Sequence, residues 1–244
     1  MQLNDRFNEI FGKIPILGMI HLAGSNPIKR ALEEIAIFEE EGVDGVIVEN
    51  YHGSIQNIHS TLRETHNRKP NLVVGVNVLL NEFHYSLALA SEFGADFVQL
   101  DHIAGTYSRG SLNFEAYEKV KEMFSSTVVL GGVWPKYYDP IEGSSLEEDL
   151  KIGMQRAEAI VVTGQGTGKE TPLDKIRKFR EIIGDHPLIV GAGLTPENAY
   201  EQLCLSNGAI VGTCFKVDDK TYNPLDRQKI KDFMAVVKQA REYR

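Results

Sequence analysis

Apolar residues along this chain gather in short, nearly continuous runs rather than in strict alternation. Eight such runs are bounded by turn residues: IPILGMIHL (14–22), VDGVIVEN (43–50), NLVVGVNVL (71–79), ADFVQLD (95–101), STVVLGGVW (126–134), AEAIVVTG (157–164), HPLIVGAG (186–193) and GAIVGTCF (208–215). Runs of this kind are expected of strands covered on both faces. They recur roughly every 22 to 32 residues, about the length of one strand, loop and helix unit.

The segments between them carry helical spacing. Phe114, Tyr117, Val120, Lys121 and Phe124 fall on one face, as do Ile230, Phe233, Met234, Val237 and Ala240. Gly42, Gly94 and Gly184 stand where helices should end. Asn26-Pro27, Thr171-Pro172, Thr195-Pro196 and Asn223-Pro224 predict capped helix starts, and Thr171 and Asn223 have an acidic residue three positions on. Strand, loop and capped helix repeated eight times predict an α/β chain forming a single (β/α)8 TIM barrel over residues 1–244, with 1–13 as a short helix over its N-terminal end. A doubly wound open sheet uses the same units, but no composition break or linker divides these eight.

Composition narrows the function classes. With 244 residues and 42% hydrophobic content, the chain can bury a large core. Its net charge of −8 is dispersed in short acidic clusters on helix faces, which argues against nucleic acid as a partner. The N-terminus lacks the basic start and apolar run of a signal peptide, and no stretch suggests direct membrane insertion, so a cytoplasmic protein is expected. Two cysteines, Cys204 and Cys214, are too few for a disulfide framework and have no metal-ligand spacing. Barrels of this size often associate, so a homo-oligomer is expected.

In such a barrel the reacting groups stand on the loops after the strands. The strand ends offer His21, Glu49-Asn50, Asn77, Asp101-His102, Lys136 and Thr163. Alternation sharpens the set. Val74, Val76 and Val78 share the outer face, which turns Gly75 and Asn77 inward; Val98 and Leu100 do the same for Gln99 and Asp101. A buried Gln below an Asp needs hydrogen-bond partners, and Asn77 is the natural one. Only one of Glu49 and Asn50 can face inward, and the run does not say which. Lys136, followed by Tyr137-Tyr138, reads as a loop lysine that contacts substrate, with a Schiff-base role as an alternative.

Two glycine-bearing stretches compete as phosphate binders. VTGQGTGKET (162–171) departs from the nucleotide P-loop, because Thr163 stands in place of its first glycine and Glu170 follows Lys169 where Ser or Thr should hold magnesium. What remains there are Gly164, Lys169 and backbone N–H groups. LIVGAGLTPENA (188–199) is the stronger candidate. Gly191 and Gly193 permit close backbone approach, and Thr195 opens a helix whose N-terminus attracts anions. Gly212-Thr213 gives a second small-residue turn on the next strand, and adjacent loops after strands seven and eight commonly hold phosphate.

The ordered motifs GMIHL (18–22), DGVIVEN (44–50), GVNVL (75–79), TGQGTGKET (163–171), VGAGLTPEN (190–198), GAIVGTCFK (208–216) and NPLD followed by KIKDFM (223–234) resemble the BtpA family. The resemblance implies a ribulose-phosphate-binding type of barrel, with Gly193 and the Gly212-Thr213 turn in the phosphate positions. The family takes its name from a protein needed for photosystem I accumulation, so a non-catalytic assembly factor is one alternative. A nucleosidase or phosphoribosyl-transfer enzyme is another. The leading expectation is an enzyme acting on a small phosphorylated sugar or phosphoribosyl compound as an isomerase, epimerase or lyase, with Asp101, Glu49, His21 and Asn77 catalytic. Asn50, Gln99, His102, Lys136, Thr163, Gly164 and Lys169 would contact substrate. No cofactor or metal ligand set is predicted, although a divalent ion or FMN is compatible with the strand ends. The short AGSNP loop, Leu80 and the QLDH ending depart from the family pattern at the expected active face.

Overall fold

The closure of the strands into a barrel decides where their polar ends meet. A computed structural model of the chain describes residues 3–243. Its strands are β1 (Ile16–Ile20), β2 (Gly45–Glu49), β3 (Val73–Asn77), β4 (Phe97–Leu100), β5 (Val128–Gly132), β6 (Ala159–Val162), β7 (Leu188–Val190) and β8 (Gly208–Val211). All pair in parallel and in chain order, and β8 returns to β1, giving a (β/α)8 TIM barrel. Each strand is shorter than its aliphatic run because the flanking residues enter loops. The register sets Glu49 opposite Asn77 and Leu100 opposite Gly131, so polar groups from β2 and β3 emerge in one layer.

A helix α1 (Leu3–Ile10) precedes β1, and α2 (Pro27–Glu40), α3 (Ile55–Arg68), α4 (Phe83–Phe93), α5 (Phe114–Met123), α6 (Leu146–Arg156), α7 (Leu173–Ile183), α8 (Pro196–Leu205) and α9 (Arg227–Tyr243) follow the strands in turn. Their buried faces are the apolar stripes of the sequence, such as Ile230, Phe233, Val237 and Ala240 on α9. Asn26 caps α2 by accepting from the Lys29 N–H at 3.1 Å. Two expected caps differ. Thr171 is fully buried and donates its hydroxyl to the Ala192 carbonyl at 3.1 Å, tying the loop after β6 to the loop after β7, so α7 starts without a side-chain cap. The Asn223 amide donates to the Val217 carbonyl, and Asp226 receives the first N–H groups of α9, from Gln228 at 2.9 Å and Lys229 at 3.3 Å.

The core has two shells. Side chains between strands and helices form the outer one, including Val76, Val98 and Leu100. Inside the barrel, Leu17, Ile47, Phe97, Leu130, Val161 and Ile189 pack with Phe7 and Phe11, which come from α1 and the residue just beyond it. Phe11 meets Phe97 edge-on at 5.2 Å, closing the end of the barrel opposite the polar strand ends. Gly75 makes room for this plug, since a Cβ there would lie 2.3 Å from the Phe97 ring. Beside the plug, Glu158 is fully buried and accepts from Lys121 at 2.9 and 3.0 Å, Arg6 at 3.2 Å and the Val129 N–H at 2.7 Å. Lys121 thus occupies the inner face of α5 because a buried carboxylate needs it. Among the described residues no helix is long and apolar enough to cross a membrane.

Candidate active site

Above the apolar plug the barrel interior turns polar. Glu49 ends β2 and faces inward, whereas the neighbouring Asn50 turns away and accepts the Leu79 N–H at 2.8 Å. Asn77 stands between two strands and donates its amide both to Glu49 Oε1 at 3.0 Å and to Gln99 Oε1 at 2.6 Å. Asp101, one layer above Gln99, accepts from the Tyr138 hydroxyl at 3.3 Å. Glu49, Asn77, Gln99 and Asp101, together with His21, Lys136 and Thr163, line one cavity at the barrel mouth.

Burial governs the protonation of this layer. Loss of water pushes the Glu49 carboxyl up to about 7; the Lys136 ammonium and the Asn77 amide oppose the rise, and the Asp101 charge adds to it. Asp101 is raised by burial as well, but Lys136 and the Tyr138 hydroxyl hold it back. A negative charge on Asp101 adds to the rise at Glu49, so an ionised Asp101 favours the protonated form of Glu49. Burial, reinforced by Lys216 and His52, holds His21 well below the ordinary imidazole value, so its ring is neutral. Its Nδ1 and the Asn77 Oδ1 are buried without a hydrogen-bond partner among the described residues, leaving bonding capacity unused at the site.

The opposite wall of the cavity is built of small residues. Gly191, Gly193, Leu194, Thr195, Gly212 and Thr213 line it, and Gly168 joins them from the loop after β6. Gly193 has a φ of +68°, and a Cβ on it would lie 2.2 Å from the Lys169 carbonyl carbon, so only glycine permits the two loops to touch. The contact is fastened by Thr171 to Ala192 and by Gln202, whose amide donates to Glu170 Oε1 at 3.1 Å. Asn198 secures the turn by donating to the Gly193 carbonyl at 3.0 Å and accepting the Thr195 N–H at 2.9 Å. The N–H groups of Gly168, Gly193 and Leu194 make no hydrogen bond among the described residues, and Thr195 occupies the position before the first turn of α8. Unspent backbone N–H groups beside a helix N-terminus suit an oxyanion.

Lys136 joins the two walls. Its N–H donates to Thr163 Oγ1 at 2.7 Å and its ammonium to Thr167 Oγ1 at 3.2 Å. Trp134 and Tyr137 on either side have φ of 48° and 68°, a left-handed conformation that costs a non-glycine residue about 1–3 kcal/mol. Lys175, from the first turn of α7, holds this arrangement from below: its ammonium donates to the Trp134 carbonyl at 2.9 Å and the Thr163 carbonyl at 2.8 Å. Burial lowers that ammonium to about 8.

Several candidate residues lie elsewhere. His102 is buried between the rings of Tyr107 and Tyr138, at 5.0 and 4.9 Å, rather than on the cavity wall, because it shares the outward parity of Val98 and Leu100. Gly164 packs against the Glu170 backbone, and the Lys169 side chain is exposed. Asn50 positions the loop after β3 instead of facing the cavity. In their place the structure brings in Tyr51, Thr167, Tyr138 and Arg109. Tyr51 shares the parity of Glu49, a signal available in the sequence, whereas Tyr138 and Arg109 arrive on loops. Among the described residues no three His, Cys, Asp or Glu side chains come together to hold a metal ion.

The profile of the BtpA family matches residues 13–239. The chain belongs to the BtpA family. One relative is the photosystem I biogenesis protein BtpA of Synechocystis, 27% identical, with 90% of this chain and 86% of that protein covered. An uncharacterized protein of Methanocaldococcus jannaschii is 29% identical over 91% of this chain and 94% of its own. Among solved structures, phosphoribosyl anthranilate isomerase from Thermus thermophilus superposes with a TM-score of 0.63 at 16% identity, covering 93% of this chain and 99% of that one. A truncated 3-deoxy-D-arabino-heptulosonate 7-phosphate synthase from Thermotoga maritima gives 0.63 at 16% identity, over 95% and 88%. At these identities the likeness is one of fold.

Proposed function

We propose that this BtpA-family barrel is an enzyme acting on a small phosphorylated sugar or phosphoribosyl compound, by proton transfer of the isomerase, epimerase or lyase type. The observation that carries the reading is the division of one cavity: a buried acid–base layer on β2 to β4 faces a small-residue, N–H-rich wall after β7 and β8. The phosphate sits on Gly193, Leu194, Thr195 and Thr213, where its binding energy is remote from the reacting carbon and orients it. Asp101, beside the Lys136 ammonium and the Tyr138 hydroxyl that favour its charged form, removes a proton from that carbon. Glu49, still protonated near neutral pH, delivers one to the oxygen on which charge develops. Asn77 orients Glu49, and His21 faces the substrate from the end of β1. Lys136 stabilises the developing anion from its place beside both carboxylates.

A second reading is suggested by the Synechocystis relative, whose role is photosystem I biogenesis. A binding module of that kind has no need of a carboxyl held near neutrality. Native mass spectrometry of the freshly purified protein separates the two. The enzyme reading expects a retained mass carrying phosphate, displaced by added inorganic phosphate. Absence of any retained mass, with no thermal stabilisation by inorganic phosphate or ribose 5-phosphate, would count against it.

A further inference from the structure

The acid–base layer has a second face. Glu49, Gln99, Asp101, Lys136 and Thr163 also line an adjoining lobe that points away from the phosphate wall. The outer wall of this lobe is apolar and aromatic, from Tyr51, Leu80, Pro135, Tyr137 and Tyr138. Leu80 is 68% exposed, Tyr137 51% and Tyr51 40%, a group of large side chains left open to water at the mouth of the cavity. Exposed apolar surface gathered at one place marks a contact site. At the same lobe stands Arg109, which makes no hydrogen bond or ion pair among the described residues. Its loop is held in place: Tyr107 bridges to Gly110 and Pro140, and the Ser108 N–H donates to the Asp139 carbonyl at 2.9 Å.

From this arrangement we infer that the substrate has two ends, a phosphorylated sugar in the small-residue lobe and a flat aromatic or heteroaromatic ring in the Tyr51, Leu80 and Tyr138 lobe, with its electron-rich or anionic edge toward Arg109. The inference rests on the phosphosugar reading above and deepens it. A bare phosphosugar leaves the apolar lobe empty and the Arg109 guanidinium unused. A ring there buries apolar surface on Leu80, stacks on tyrosine faces and gives the guanidinium a partner. Because the acid–base groups belong to both lobes, the reacting carbon lies at the junction, on the sugar next to its bond to the ring. The chemistry of a phosphate tail, an apolar slot and one cation selects ring-bearing phosphoribosyl compounds over simple pentose phosphates.

The test is calorimetric titration of the full chain with inorganic phosphate, ribose 5-phosphate, and phosphoribosyl compounds bearing purine, pyrimidine, imidazole and N-aryl rings. At least one ring-bearing compound should bind about tenfold tighter than ribose 5-phosphate. Arg109→Met and Leu80→Asp, both exposed positions, should abolish that gain while leaving ribose 5-phosphate affinity unchanged. If ribose 5-phosphate binds and no ring improves on it, or if the gain survives both substitutions, the ring lobe is wrong and the phosphosugar reading stands. If neither phosphate nor any phosphorylated compound binds, both fall.

Discussion

The Asn77 amide donates to Glu49 across the β2–β3 pair, where the two residues are also direct partners in register. This bond holds the carboxyl in one orientation within a buried layer, and that burial is what raises its proton affinity.

The first prediction follows from that rise. Burial lifts Glu49 from 4.5 to about 7, so over that interval the folded protein holds a proton that the unfolded chain has released. Stability therefore falls as pH climbs from about 4.5 to 7 and is level above it. Glu49→Gln removes the titration. In urea unfolding, variant and parent should be alike at pH 4, and the variant should be more stable at pH 8 by roughly 1–3 kcal/mol. An equal difference at both pH values would contradict the raised carboxyl.

A second prediction concerns the proposed phosphate wall. Gly193→Ala places a Cβ against the Lys169 backbone at a positive φ. The dihedral alone costs about 1–2 kcal/mol, and the clash adds to it by forcing the loops after β6 and β7 apart. Gly143→Ala, also at positive φ but with nothing within 4 Å, should cost only the dihedral term. Urea unfolding and phosphate titration followed by 31P NMR should show Gly193→Ala both less stable than Gly143→Ala and unable to bind phosphate. Matching behaviour of the two variants would mean that the loop contact has no role.

Tyr138 supplies a third. Its hydroxyl donates to Asp101 and restrains the rise of that carboxyl, so Tyr138→Phe should lift Asp101 further. If Asp101 is the base, the acid limb of kcat/KM moves to higher pH, while kcat well above that limb stays near the parent value. A pH profile superposable on that of the parent would remove Asp101 from the base role.

Much of this geometry was legible in the chain itself, for a definite reason. Strand alternation turns on backbone parity, so Val74, Val76 and Val78 sufficed to direct Asn77 inward, and Val98 and Leu100 did the same for Gln99. Adjacency is a weaker guide than parity: His102 has the outward parity of Leu100 and turns away from the cavity, while Lys169 lies on the loop after β6, whose path only tertiary contacts determine. Local cap patterns were equally open to competition: Thr171 has the right neighbours for capping α7, but a buried hydroxyl beside the Ala192 carbonyl has a better partner there. Arg109 and Tyr138 were not foreseen because the pairing of Tyr107 with Pro140 that carries them joins loops about thirty residues apart, with no periodicity to announce it. Lys175 escaped for a similar reason, since two carbonyls on different strand ends make its burial tolerable.

The central claim is that Glu49 and Asp101 move protons on a carbon held by the phosphate wall. Deuterium incorporation into a bound phosphosugar in D2O, followed by 1H NMR, tests it most directly, using the ligand retained through purification. The parent protein should exchange a carbon-bound proton of that ligand. Asp101→Asn and Glu49→Gln should each slow exchange by about 10²–10⁴-fold with phosphate affinity intact. No exchange by the parent protein with its ligand bound, or exchange unchanged in both variants, would contradict the account.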